Sequence, residues 1–310
     1  MKFLVLGAGG VGGFLGAKLA ADGNDVTFVA RGPHREAMAR DGLRLRSPLG
    51  DLHIERPTLF EDPSETGLCD VILLCTKLWD NDSAIELMRP LLAHDTAVIS
   101  LQNGVEAEDQ LADALGHQHV LGGVAQIAVR IAEPGVIAQT GQFARFLVGE
   151  RDGTSTWRLE GLVAAGKSAG IDIKASDDIG LDLWKKFVLL TPFAGAACLF
   201  RLPIGRILAD GWRREQLESL LAEAVAVGRA KGAALPENVE ARVMESYAGF
   251  PEEMKPSMLH DLEAGRRLEV DWLSGAVVRL GKALGVDTPA SQSVVEALEP
   301  IKLGRAVQNA

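Results

Sequence analysis

Cysteine is scarce in this chain: Cys69, Cys75 and Cys198 are the only three in 310 residues. An odd, scattered set without metal-ligand spacing argues against a disulfide framework and against a metal site. Cys75 lies within the apolar run Val71-Ile-Leu-Leu-Cys75 and reads as a buried thiol of a reducing compartment. Positive charge is also in deficit. A formal net charge of −10 argues against nucleic acid or an anionic membrane as partner, although local positive charge can still hold a small anion. No run of about 18 uninterrupted apolar residues occurs, so no segment is expected to span a membrane. The first apolar run is short and carries a glycine loop at once, so no signal peptide is expected, and a cytoplasmic location follows. Repeats and low-complexity tracts are missing as well.

What is present is an ordinary globular composition, 47% hydrophobic and 24% charged, in a chain long enough for two domains. The apolar strand Lys2-Phe-Leu-Val-Leu6 runs into Gly7-Ala-Gly9-Gly-Val-Gly12 and then an alanine-rich helix. Strand, G-x-G-x-x-G and helix in that order form the dinucleotide-binding fingerprint in its required context. Gly7 permits the tight turn, Gly9 lets the backbone approach a pyrophosphate, and Gly12 lets helix and strand pack closely. The helix N-terminus offers N–H groups and partial positive charge to the phosphates.

The first half alternates strands, expected at residues 2–6, 25–30, 70–76 and 96–101, with helices at 11–22, 35–40 and 80–92. Such alternation predicts an α/β fold with a doubly wound, Rossmann-type parallel sheet covered on both faces. Residues 43–46 and 52–55 flank Ser47-Pro-Leu-Gly50 as a hairpin, and 120–131 with 136–148 add an antiparallel portion. From about Trp157 helical stretches dominate: 157–169, 177–198, 212–231, 237–248, 256–262 and 272–284. Asp177-Asp178 supply an N-cap for the long helix. The junction is placed near residues 170–175, giving a dinucleotide-binding domain over 1–172 and an all-helical substrate and catalytic domain over 173–310.

The end of the second strand selects the cofactor. NAD sites usually carry Asp or Glu there; here Val26-Thr-Phe-Val-Ala30 ends in Arg31-Gly32. Arg31 is a permanent, planar donor suited to a 2′-phosphate, and Arg35 adds a second positive group, so NADP(H) is expected. Ligands bind outside the carboxyl ends of parallel strands, where Lys77 and Asn103 fall. Asn103-Gly104 equally suits a turn with positive φ. In Leu183-Trp-Lys-Lys-Phe187, periodicity does not decide between Lys185 and Lys186 as the one facing a cleft. Glu269 or Asp271 offers an acidic partner, or simply charges the first turn of the helix that follows.

Gly7-Ala-Gly-Gly-Val-Gly12, Arg31, Cys75-Thr-Lys77, Gln102-Asn-Gly104, Leu183-Trp-Lys-Lys186 and Pro256-Ser-Met-Leu-His-Asp261 with Glu269-Val-Asp271 recur in this order. With them the chain resembles the ketopantoate reductase (2-dehydropantoate 2-reductase) family over essentially its whole length. The resemblance implies a two-domain NADP-dependent reductase converting 2-dehydropantoate to D-pantoate, in pantothenate biosynthesis. It implies that Lys186 is the catalytic lysine and Glu269 its acidic partner. Asn103 and Lys77 match cofactor- and cleft-lining positions, and Ser257 and Asn103 match substrate contacts. No metal is implied, and a homodimer is plausible from the apolar helices.

The departures are as informative. Where the family usually carries three asparagines that meet the substrate, this chain has Leu190, Ala194 and Ile204. Each lost hydrogen bond weakens a hydroxylated substrate by about 1 kcal/mol. A D-2-hydroxyacid dehydrogenase acting on a more apolar 2-keto acid is therefore the alternative. A catalytically silent NADP-binding sensor is the third reading, and retention of Lys186 and Glu269 argues against it.

Overall fold

Continuous apolar runs build the centre of one sheet. In the computed structural model, which describes residues 1–304, Lys2–Leu6 (β1) is followed by helix Gly10–Ala21 (α1), Asp25–Val29 (β2) and Gly32–Asp41 (α2). Leu43–Arg46 (β3) and Leu52–Ile54 (β4) form the expected antiparallel hairpin. Thr58–Phe60 (β5), Val71–Leu74 (β6), Asn81–Met88 (α3), Ala97–Ser100 (β7) and Ala107–Leu115 (α4) come next. Val120–Glu133 (β8) and Val136–Glu150 (β9) pair antiparallel, and Trp157–Ser168 (α5) leads to Asp172–Ala175 (β10).

The sheet order is β4-β3-β9-β8-β7-β6-β1-β2-β5, with β10 also on β9. From β5 to β8 every pairing is parallel. The strand order reverses between β1 and β6, which makes that crevice the topological switch point.

One feature of this order fixes the shape of the sheet. Strands β4 and β5 stand at its two ends, yet only residues 55–57 join them. Such a link spans at most about 14 Å, whereas nine strands laid flat would span about 38 Å. The sheet therefore curls back on itself. Register shifts in the β8–β9 ladder, between Ile127 and Val129 and between Ile131 and Glu133, are irregularities of the kind that bend a strand. The far edge of β9 is shared: Val136 to Ala138 take β3, and Arg145 to Val148 take β10.

Helix α1 lies inside the curl, buried from Gly12 to Leu19. An apolar helix without a polar face is what such a position demands. Glycine lets the strands come close. A Cβ at Gly13 would lie 2.7 Å from Ile137 of β9, and one at Gly16 only 2.2 Å from the Phe28 ring of β2.

These elements, Met1–Gln102 and Ala107–Asp182, are one compact unit; Asn103–Glu106 and the chain from Leu183 onwards are a second. The division falls inside Ile179–Phe200 (α6). The expected junction at 172/173 meets the start of β10, whose pairing with β9 was not foreseen. That strand is four residues long with a single buried side chain, Ile173, so no alternation marks it. The domain range to 310 also includes residues 305–310, outside those described.

The second unit is helical. After α6 come Ile204–Leu208 (α7), Gly211–Ala230 (α8), Val239–Ala248 (α9), Ser257–Glu263 (α10), Ser274–Leu284 (α11) and Pro289–Leu298 (α12). Asp178 caps α6, accepting from the Leu181 N–H at 2.9 Å. By length and apolarity α6 could cross a membrane, but 67% of its apolar window is buried in the protein, as in a core helix. Pro192 interrupts its ladder, and one residue past the carbonyl thus deprived, Leu189 accepts from the hydroxyl of Tyr247, the chain's only tyrosine, at 2.6 Å.

Gly16→Ala drives a methyl into the Phe28 ring. Urea unfolding should show a loss of about 1–3 kcal/mol; an unchanged midpoint would mean that the ring has room to retreat.

Candidate active site

The glycine loop leaves β1 through Gly7, whose φ of +99° only glycine adopts without strain. Space forbids a side chain there as well, since a Cβ would sit 2.8 Å from the amide nitrogen of Thr76, two residues past β6. At Gly12 a Cβ would meet the Gly7 carbonyl oxygen at 2.3 Å. Gly9 is different: nothing lies within 4 Å of its Cβ position, so the backbone there is open to an approaching group. Gly9 is the N-cap of α1, no side chain caps that end, and no acid occupies the first turn. An anion is the complement of such an end.

Past β2, Arg31 is exposed at the N-cap of α2. Arg35, one turn on, is half-buried, and its buried Nε has no hydrogen-bond partner. A buried guanidinium nitrogen without an acceptor marks a place an anionic oxygen would satisfy. Lys77 follows β6, half-buried, with Nζ 5.6 Å from the Trp79 ring centroid.

An amide relay, buried at Gln102 and Asn81, joins the segments that follow β6 and β7. Gln102 donates from Nε2 to the Thr76 carbonyl at 3.0 Å and to Asn81 Oδ1 at 2.7 Å. Its Oε1 accepts from Ser100 Oγ at 3.1 Å. Asn81 then donates to Gln110 at 3.0 Å, and Gln110 to Asp82 at 2.9 Å. This network sets the backbone just before Lys77 and just before Asn103. Sequence reasoning quoted Gln102 but assigned it nothing; its place beside Asn103 was the available signal.

In the second unit, Lys185 is exposed and Lys186 half-buried. One and two turns on from Lys186, on the same face, stand Leu190, half-buried, and Ala194, fully buried; Ile204, at the start of α7, is also fully buried. Of the three apolar replacements, only Leu190 presents surface. Ser257 is exposed at the start of α10. Glu269 is 3% exposed, and its carbonyl accepts from the Trp272 and Leu273 N–H groups. Asp271 is engaged elsewhere, accepting from Lys302 Nζ at 3.1 Å. Hydrogen bonds to Glu299 and then Asp271 hold the Lys302 ammonium above the usual lysine range. Asn103, half-buried, belongs to this unit, as does Glu106, which pairs with Arg279 at 2.6 Å.

Cys69 and Cys198 are buried, whereas Cys75, expected to be buried, is half-buried because it lies past the last residue of β6; desolvation pushes the thiols of Cys75 and Cys198 up to about 12 and that of Cys69 up to about 11. Among the described residues, no group of three or more His, Cys, Asp or Glu side chains could hold a metal ion.

Comparison with known proteins matches residues 3–153 to the model of "Ketopantoate reductase PanE/ApbA" and residues 178–302 to that of its C-terminal domain. The chain is 33% identical over 299 residues to the uncharacterized oxidoreductase YkpB of Bacillus subtilis, covering 96% of this chain and 98% of that one. It is 31% identical to a 2-dehydropantoate 2-reductase of Mesorhizobium japonicum, covering 98% and 99%. A crystal structure of a PanE/ApbA family ketopantoate reductase from Ralstonia eutropha superposes with a TM-score of 0.90 at 32% identity, covering all of both chains.

Thiols held this far above neutral react slowly, because only the thiolate is nucleophilic. At about pH 8, iodoacetamide should label the three cysteines of the native protein more than about 100-fold more slowly than after unfolding. Rapid labelling of Cys75 would show that it is reachable and ionisable.

Proposed function

Because this chain belongs to the ketopantoate reductase PanE/ApbA family of oxidoreductases, we propose that it reduces a 2-keto acid to a 2-hydroxy acid with NADPH. The default substrate is 2-dehydropantoate, the compound in the names of its relatives, and the product in this reading is D-pantoate. The observation that carries this reading is Lys186. It is half-buried on a largely apolar helix, whereas its neighbour Lys185 is exposed. A partly desolvated ammonium acts on a developing negative charge more strongly than one in open water.

Support for the cofactor comes from the first unit. The open backbone at Gly9, the uncapped N-terminus of α1 and the unpartnered Arg35 Nε fit a dinucleotide. Arg31 and Arg35, with no carboxylate at the end of β2, favour the 2′-phosphate of NADP(H). Lys77 and Asn103 are the further cofactor-binding residues of this reading.

When bound, the reduced nicotinamide supplies a hydride for the carbonyl carbon. The Lys186 ammonium stabilises the negative charge that develops on the carbonyl oxygen and gives that oxygen its proton. Glu269 orients the ammonium or receives a substrate hydroxyl, and Asn103 and Ser257 supply polar contacts to the substrate. Leu190 lies one turn from Lys186 on the same face, and this apolar surface favours the second reading, a 2-keto acid bulkier and greasier than 2-dehydropantoate.

Lys186→Ala should lower kcat by about 100- to 10,000-fold and change NADPH affinity by less than about threefold; unchanged turnover would remove Lys186 from the mechanism. A panel of 2-keto acids, followed by nicotinamide absorbance with both cofactors, should show kcat/KM at least about tenfold higher with NADPH than with NADH. Faster turnover of a phenyl- or isobutyl-substituted keto acid than of 2-dehydropantoate would install the second reading. Absence of turnover with every keto acid would defeat both.

A further inference from the structure

His34 stands in the first turns of α2, half-buried, and joins two segments far apart in sequence. Its Nδ1 lies 3.0 Å from the Gly135 backbone nitrogen, in the turn of the β8–β9 hairpin. Its Nε2 lies 2.9 Å from the carbonyl oxygen of Ala8, inside the glycine loop. A backbone N–H can only donate and a carbonyl can only accept. Nδ1 must therefore be the bare nitrogen and Nε2 the protonated one. Both contacts exist together only in the neutral ring.

We propose that His34 is the residue that positions the glycine loop for the dinucleotide, as a neutral imidazole strung between Ala8 and the β8–β9 turn. This rests on the NADPH-dependent reading above. The Ala8 carbonyl belongs to the peptide just before Gly9, where the backbone is open to a ligand. Its anchor is firm at the other end. Gly135 donates to His34 and, through its own carbonyl, accepts from the Arg44 N–H at 2.9 Å. The curled end of the hairpin is thus made a support for the loop.

Protonation breaks this arrangement, because an imidazolium Nδ1–H would face the Gly135 N–H, donor against donor. Burial lowers the His34 pKa from 6.5, opposed by the hydrogen bond to Ala8. The titratable groups on the flanking segments are Arg31, Arg35 and Glu36 beside it, Arg130 and Glu133 on the hairpin, and Arg44 and Arg46 on β3. Glu133 is paired with Arg46 at 2.9 Å; the glycine loop carries none. With a folded pKa below the unfolded one, the unfolded chain binds the proton first. The neutral arrangement is thus fully present above about pH 6.5 and is lost as pH falls through the folded pKa.

The test is NADPH binding by calorimetry, from about pH 7.5 to about pH 5.5, on the full chain and on His34→Gln and His34→Ala. Glutamine can accept from Gly135 with Oε1 and donate to Ala8 with Nε2, and it does not titrate in this range. Wild-type affinity should fall below the ring's pKa by up to about tenfold per pH unit. His34→Gln should keep the neutral-pH affinity within about threefold and flatten the profile, and His34→Ala should bind about tenfold more weakly throughout. The 2′-phosphate titrates nearby, but wild type and His34→Gln share it, so their difference isolates the ring. Nitrogen-15 NMR of the unliganded protein should find the neutral proton on Nε2. An unchanged profile in His34→Gln, or a proton on Nδ1, overturns the proposal while leaving the reductase reading intact. A wild type that binds no NADPH at about pH 7.5 overturns both.

Discussion

The thinness of one helix governs the first unit. Helix α1 has strands of a single curled sheet around it, and they approach until a methyl group would not fit at Gly13 or Gly16. That closeness brings the N-terminus of α1 to the ends of β1 and β6 together, at the point where strand order reverses. Gly12 is the same constraint at the loop itself, with its Cα pressed against the Gly7 carbonyl. The glycine fingerprint is thus a packing requirement first. The exposed backbone at Gly9 is what that packing leaves over for a ligand.

Polar groups near this crevice are held by pairing rather than by exposure. Gln102 and Asn81 are buried, and together they satisfy one another and the Thr76 carbonyl. A buried network of this kind is rigid when complete and costly when broken. Arg35 differs from them, with a buried Nε that has no hydrogen-bond partner among the described residues. In the helical unit the contrast is between Asp271, drawn off by Lys302, and Glu269, buried in the turn before α11.

Much of this was legible in the sequence. The central strands appear as apolar runs because a strand covered on both faces needs apolar side chains on both. The fingerprint at residues 7–12 was legible because glycine has few substitutes where backbones touch. Short pieces escaped. Strands β5 and β10 have three and four residues, too few for a period to register. Helices α4 and α12 were also missed, although Pro289 at the first turn of α12 was a usable start signal. The lysine pair shows a limit of another kind. Adjacent residues on an apolar helix have nearly equivalent neighbours, and only the fold distinguishes exposed Lys185 from half-buried Lys186. His34 was illegible because its two partners are backbone atoms, at residues 8 and 135, and backbone groups leave no mark in a sequence.

The three-residue link between the outermost strands has a kinetic side. The curl closes where β3 meets β9, with Arg44 opposite Val136, so closure joins chain segments remote from one another. Contacts of such separation form slowly, since the intervening loop must first be ordered. During synthesis α1, apolar but for Lys18, emerges long before β8 and β9 exist to cover it. The support that the β8–β9 turn gives the glycine loop through His34 is therefore open to the chain only after residue 135 has been made.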